Sequence, residues 1–162
     1  MLVSGVVLGT LAGFAIGRSW RPLLALEFRW LPLLLAALAA RGIANFLTPA
    51  ALALYLFSLV GTAVAASANV RLPGAAFIAL GGALNLATVL ANGAMPVDVG
   101  ALAAAGTSMP IDALHTQLGD ATQLKGLSDV VPIPALRAVY SVGDFLIALG
   151  GFLLPFVLLI RK

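Results

Sequence analysis

Five stretches of the chain hold almost nothing but apolar and small residues: 2–17, 28–46, 50–68, 73–91 and 138–160. Each approaches the ~17 to 25 residues that carry an α-helix across a bilayer. The pattern therefore predicts an all-α integral membrane protein, a single membrane domain of five transmembrane helices. The second stretch contains Arg29 and Arg41, so it spans only if Arg29 snorkels at one end and Arg41 is tolerated inside. The first stretch lacks the basic leader of a cleavable signal peptide and has Arg18 and Arg21 on its far side. It is expected to remain as a helix.

Residues 92–137 separate the fourth and fifth stretches and form a long loop in which small and apolar residues dominate. Met95-Pro96-Val97-Asp98 is echoed by Met109-Pro110-Ile111-Asp112, and each Asp precedes a helix-compatible run, 99–105 and 113–118. Asp98 and Asp112 are thus placed as N-caps of two short surface helices. Gly126 to Asp129 reads as a turn, and residues 130–134 as an extended stretch leading into the last helix.

Composition fits the pattern. The chain is 62% hydrophobic and 9% charged with a mean hydropathy of +1.10, more apolar surface than a soluble domain of this size can bury in one core. Its nine Lys and Arg against six acids give a net charge of +3, but the bases are scattered between apolar runs. They read as topology signals, and no nucleic-acid signature exists. Arg18, Arg21, Arg29, Arg71, Arg161 and Lys162 fall on one side, Arg41, Lys125 and Arg137 on the other. The larger group belongs in the cytoplasm with the C-terminus, which puts the N-terminus and the long loop outside.

Polar residues inside the apolar stretches are the candidates for chemistry. Asp144 lies about seven residues into the last stretch, where a carboxylate is costly enough to need a reason. Gly81, Asn85, Thr88 and Asn92 share one helix face, and Ser141, Asp144, Ala148, Gly151 and Pro155 share another. With Arg41 and Asn45, these place Arg41, Asn85, Asn92 and Asp144 in the outer half of the bilayer. Polar groups there must meet one another or water. They either tie the helices together, with an Arg41–Asp144 ion pair, or line a pocket.

Gly5, Gly9, Gly13 and Gly17 recur every fourth residue in the first stretch, a glycine zipper on which another helix can pack closely. The partner is this protein's own bundle, a second copy, or another membrane subunit. His115 has no second His, Cys or acid at metal-ligand spacing, so no metal or cofactor is expected. No serine sits in a G-x-S-x-G setting, and with no cysteine there is no thiol chemistry.

The succession Gly81-Gly82-Ala83-Leu84-Asn85-Leu86, Asn92-Gly93-Ala94-Met95-Pro96-Val97, Leu127-Ser128-Asp129-Val130-Val131-Pro132-Ile133-Pro134 and Tyr140-Ser141-Val142-Gly143-Asp144 resembles a family of small bacterial multipass membrane proteins of unknown function. That likeness covers about half the chain and implies a bacterial inner (plasma) membrane location. It singles out Asn85, Asn92, Pro96, Asp129 and Asp144. Tyr140 to Asp144, followed by residues 145–150, is also similar to a motif of lipoprotein signal peptidases, which implies a catalytic role for Asp144. The position of that family's partner aspartate holds Thr88, so Asp98 or Asp129 would have to supply the second carboxylate.

The leading expectation is a membrane protein whose outer pocket of Arg41, Asn85, Asn92 and Asp144 binds a lipid headgroup, a peptide or a partner subunit. The alternative is an intramembrane aspartic peptidase. A transporter or proton pathway comes third, because the inner halves of the helices offer little beyond Ser58 and Thr62.

Overall fold

The structure, a computed structural model, describes residues 1–16, 20–46, 48–108 and 113–161. Gly17, Arg18, Lys162 and the echo segment from Met109 to Asp112, with its expected cap, lie outside the described residues. Helices dominate: α1 (Leu2–Ile16), α2 (Arg21–Leu24), α3 (Leu31–Ile43), α4 (Ala51–Ala68), α5 (Ala75–Asn92), α6 (Val99–Ala104) and α7 (Val142–Ile160). Three of them, α4, α5 and α7, are long and apolar enough to cross a membrane.

The other two apolar helices are below spanning length over the described residues. At 1.5 Å per residue, the 15 residues of α1 and the 13 of α3 reach only about 22 and 20 Å. The hydrocarbon layer is ~30 Å thick. In α3 the cause is local. Trp30 adopts a left-handed conformation (φ 63°) and Pro32 stands in the first turn, so the helix starts after Arg29. The Arg29 backbone is instead clamped by the buried Asn69 side chain, which accepts from Arg29 N at 2.9 Å and donates to Arg29 O at 2.7 Å.

The helices form a row in which α1 packs on α7, α7 on α5, α5 on α4 and α4 on α3. Glycine sets the closest approaches. Gly5 and Gly9 lie against the backbone carbonyls of Ala148 and Phe152, and Gly13 against Leu159, so α1 and α7 run parallel with the zipper face turned into the protein's own bundle. Gly74, in a left-handed conformation (φ 79°), and Gly150 meet where α5 crosses α7. Pro155 is buried inside α7. The carbonyl four residues before it belongs to Gly151, and proline offers it no N–H to accept from. Outward-facing residues such as Leu8, Leu11, Phe14, Leu35, Phe57, Leu80 and Leu90 are exposed, an apolar surface suited to lipid.

The segment between α5 and α7 folds into a roof over one end of the row. Strand β1 (Met95–Val97) pairs in parallel with β2 (His115–Gln117), joined by a crossover that contains α6. Strands β3 (Val131–Ile133) and β4 (Ala138–Tyr140) form an antiparallel hairpin. The second surface helix expected over 113–118 is therefore a strand. Six residues nucleate a helix poorly in water, whereas pairing with β1 satisfies their backbone groups. Residues 138–140 are likewise strand, so α7 begins four residues later than the apolar pattern suggests. Met95 and Leu114 of the roof pack against Ala44, Ala51, Tyr55, Leu59 and Val89, joining roof and helices in one core.

Candidate functional site

Under the roof lies a cavity of about 540 Å³. Four helices contribute side chains to it, Arg41 from α3, Tyr55 and Ser58 from α4, Asn85 from α5 and Asp144 from α7, and the roof adds His115, Asp129, Arg137 and Tyr140. Along the helices the lining continues with Leu38, Leu59, Gly82 and Ile147 beside Ser58 and Thr62. Leu2 and Val3 of α1 close one flank. Among the described residues, α1 and α3, the two ends of the row, do not pack closely on each other.

Asp144 owes its position to helix capping. It is the third residue of α7, not a group seven residues deep, and it forms a capping box with Ser141. The Ser141 hydroxyl accepts from Asp144 N at 3.0 Å, and Asp144 Oδ2 accepts from Ser141 N at 3.2 Å and Ser141 Oγ at 2.9 Å. Asn85, 2% exposed, donates from Nδ2 to Asp144 Oδ1 at 3.2 Å. This triad joins α5 to α7, and Gly143 fits directly against Asn85 Oδ1. A capping box supplies two backbone donors with partners at the start of a helix, which is the reason a carboxylate is tolerated there.

Arg41 does not pair with Asp144. Its guanidinium donates to Asn45 Oδ1 at 3.0 Å and lies 4.9 Å from the centre of the Tyr55 ring. A cation held over an aromatic face keeps its charge available to whatever enters beside it. Arg137, in a left-handed conformation (φ 49°), donates from Nε and Nη2 to the Gly106 carbonyl.

Asp129 is the residue whose environment the sequence hides. Its backbone binds the edge of β1 through Asp129 N to Pro96 O and Asp98 N to Asp129 O, both 2.9 Å. This bridge places Asp129, 7% exposed, at the cavity, and its Oδ1 has no hydrogen-bond partner among the described residues. Burial, and secondarily the charge of Asp144, push the Asp129 carboxyl up to about 8, against the opposing pull of Arg41. It is therefore largely protonated at neutral pH.

Two other sequence candidates lie apart from the cavity lining. Asp98 caps α6 by accepting from Ala101 N at 2.6 Å. Asn92 grips the roof instead, donating to Gln123 O at 3.0 Å and accepting from Gln123 N at 2.9 Å. Conversely, both tyrosines of the chain and its single histidine line the cavity. Scarcity of such side chains in so apolar a chain is the one sequence signal that points to them. Among the described residues no group of His, Cys, Asp and Glu is arranged to hold a metal ion.

Three apolar helices of spanning length, with a cavity at their roofed end, define a helical membrane-type protein. The chain belongs to the family of unknown function DUF5317, whose family model matches residues 17–156. The match reaches well beyond the C-terminal half on which the sequence resemblance rests. No curated protein and no solved structure matches the chain, so the likeness to signal peptidases finds no support.

Proposed function

We propose that this is a multipass membrane protein of the inner membrane that holds the polar head of a membrane amphiphile under its roof. The hydrocarbon part would run along Leu38, Leu59 and Ile147 toward the gap between α1 and α3. One observation carries this reading: a single cavity is lined both by charged side chains, Arg41, Asp129, Arg137 and Asp144, and by apolar ones of the helices, Leu38, Leu59 and Ile147, the mixed lining that an amphiphile needs. Arg41, stacked on Tyr55, is the anchor for a phosphate or carboxylate. Arg21, Arg29, Arg71 and Arg161 belong to the opposite end of the bundle from the roof, which supports a cytoplasmic location for that end and an outer location for the roof.

Protein purified in mild detergent is expected to carry an amphiphile detectable by native mass spectrometry. Charge-assisted hydrogen bonds contribute about 1.5–3 kcal/mol, so Arg41→Ala should weaken its retention about ten- to a hundredfold. Wild-type protein that neither retains nor binds any amphiphile would sink the proposal.

A second reading, hydrolysis by an aspartate pair, is favoured by one feature. Asp129 and Asp144 line the same cavity, and the Asp129 carboxyl at about 8 could serve as the acid beside an ionised base. Against it, both Asp144 oxygens already accept hydrogen bonds from Asn85 and Ser141. Cleavage of a lipidated precursor that required both carboxyls would favour this reading, and a precursor left intact would remove it.

A further inference from the structure

We propose that the amphiphile carries a primary ammonium beside its phosphate, with Asp129 receiving the ammonium while Arg41 holds the phosphate. This rests on the amphiphile reading above and names its headgroup class. Asp129 Oδ1 is a buried acceptor without a partner among the described residues, at a cavity large enough for a headgroup. An unpaired buried acceptor is costly, so the site is completed by a donor from outside the chain.

Several donors at the cavity have other partners: Asn85 Nδ2 serves Asp144, the Ser141 hydroxyl faces Asp144 and Asn85 Oδ1, and Arg137 serves Gly106. Arg41 gives one N–H to Asn45 and keeps the others for the phosphate, and the neighbouring Ser128 hydroxyl is, like Asp129 Oδ1, buried without a partner among the described residues. A second carboxylate in the same space, Asp144, adds negative charge that favours a cation over a neutral hydroxyl. An ammonium has three N–H donors and no acceptor, which answers both the geometry and the charge. A purely anionic headgroup gives the ionised Asp129 carboxylate no donor, although the protonated form could donate to it, and a quaternary ammonium has no N–H to give.

The groups that face Asp129 are Arg41 from α3, Tyr55 from α4 and Asp144 from α7, with His115 and Arg137 on the same cavity wall. Because its carboxyl sits at about 8, an ammonium must displace a proton below that pH. Affinity for the ammonium headgroup therefore rises with pH up to about 8 and then levels until the amine itself deprotonates.

The test is competition binding on the full-length protein in detergent with phosphatidylethanolamine, phosphatidylcholine and phosphatidylglycerol. Free phosphoethanolamine is a fourth ligand, to separate the headgroup chemistry from its lipid source. Phosphatidylethanolamine is expected to bind about tenfold more tightly than either other lipid, the effect of one charge-assisted hydrogen bond. Free phosphoethanolamine should compete if the headgroup alone suffices, and its failure to compete beside a preference for phosphatidylethanolamine assigns the ligand to the lipid.

For a carboxyl at about 8, linkage predicts that wild-type affinity for phosphatidylethanolamine rises about fiftyfold between pH 6 and pH 8. Phosphatidylglycerol should show no such rise. Asp129→Asn, which keeps the backbone bridge to β1, should erase both the preference and the pH dependence. Equal binding of the three lipids by wild-type protein, or a preference that persists in Asp129→Asn, would overturn the inference and leave the amphiphile reading standing. Failure of every phospholipid to bind would overturn both. The wild-type pH series decides the matter even if the variant does not fold.

Discussion

Replacing Gly150 by leucine is expected to prevent formation of the bundle, seen as loss of monodisperse protein in detergent and of a cooperative thermal transition. Gly150 meets Gly74 and Ile78 where α5 crosses α7, and a Cβ placed there would stand 2.6 Å from Ile78 Cγ1 and press on the Gly74 carbonyl. Overpacking in a close-packed interior costs about 1–3 kcal/mol when neighbouring side chains can move, and more when the obstacle is backbone. Here it is backbone, and α7 is an inner member of the row, packed on both α1 and α5. Gly42→Leu is the control, because nothing lies within 4 Å of a Cβ at that position. A Gly150→Leu protein that melts like the wild type would show that the two helices do not cross as described.

Asp144→Ala carries the second largest expected effect, a loss of about 2–4 kcal/mol in stability. It removes the side-chain partner of the Ser141 backbone N–H and the acceptor of the Asn85 side chain, with Ser141 0% and Asn85 2% exposed. Leaving a buried donor unsatisfied costs more than the net gain of the bond it made. Asp144→Asn keeps an acceptor oxygen and should recover part of the loss. Chemical or thermal unfolding in detergent measures both. An Asp144→Ala protein as stable as the wild type would mean that the capping box and the link to α5 hold nothing together.

The helical framework was legible because long apolar runs have few alternatives. Stretches 50–68 and 73–91 predict α4 and α5 to within two residues at each end. The end of α7 was legible too, but its beginning was not. Ala138, Val139 and Tyr140 are as apolar as the helix that follows, and only the pairing with residues 131–133 makes them a strand. That four-residue difference moved Asp144 from an unexplained depth in hydrocarbon to the first turn of a helix.

The candidate site was half legible. Asn85 and Asp144 share a sequence-visible logic, since polar side chains on facing helices need each other, and they do meet. Arg41 was expected beside Asp144 but its partners are Asn45, just past the end of its own helix, and Tyr55, across on α4. Asp129 was placed in a turn, where an aspartate is ordinarily solvated. Its burial depends on a bridge to β1 across about thirty residues of sequence, a tertiary contact that no local pattern encodes. The glycine stripe announced close packing but not its partner, and α7 takes that place along Gly5, Gly9 and Gly13.

The central claim is that the space beneath the roof is a lipid-headgroup pocket continuous with the membrane. The most direct measurement is photo-crosslinking of the protein in native membranes with a phospholipid that carries a diazirine near its glycerol backbone, followed by mapping of the labelled peptides. Labelling at Leu38, Leu59 and Ile147, which line the cavity, and its loss in Arg41→Ala, is the result predicted. Labelling confined to outward-facing positions such as Phe14, Leu35 and Leu90, unaffected by Arg41→Ala, would contradict it.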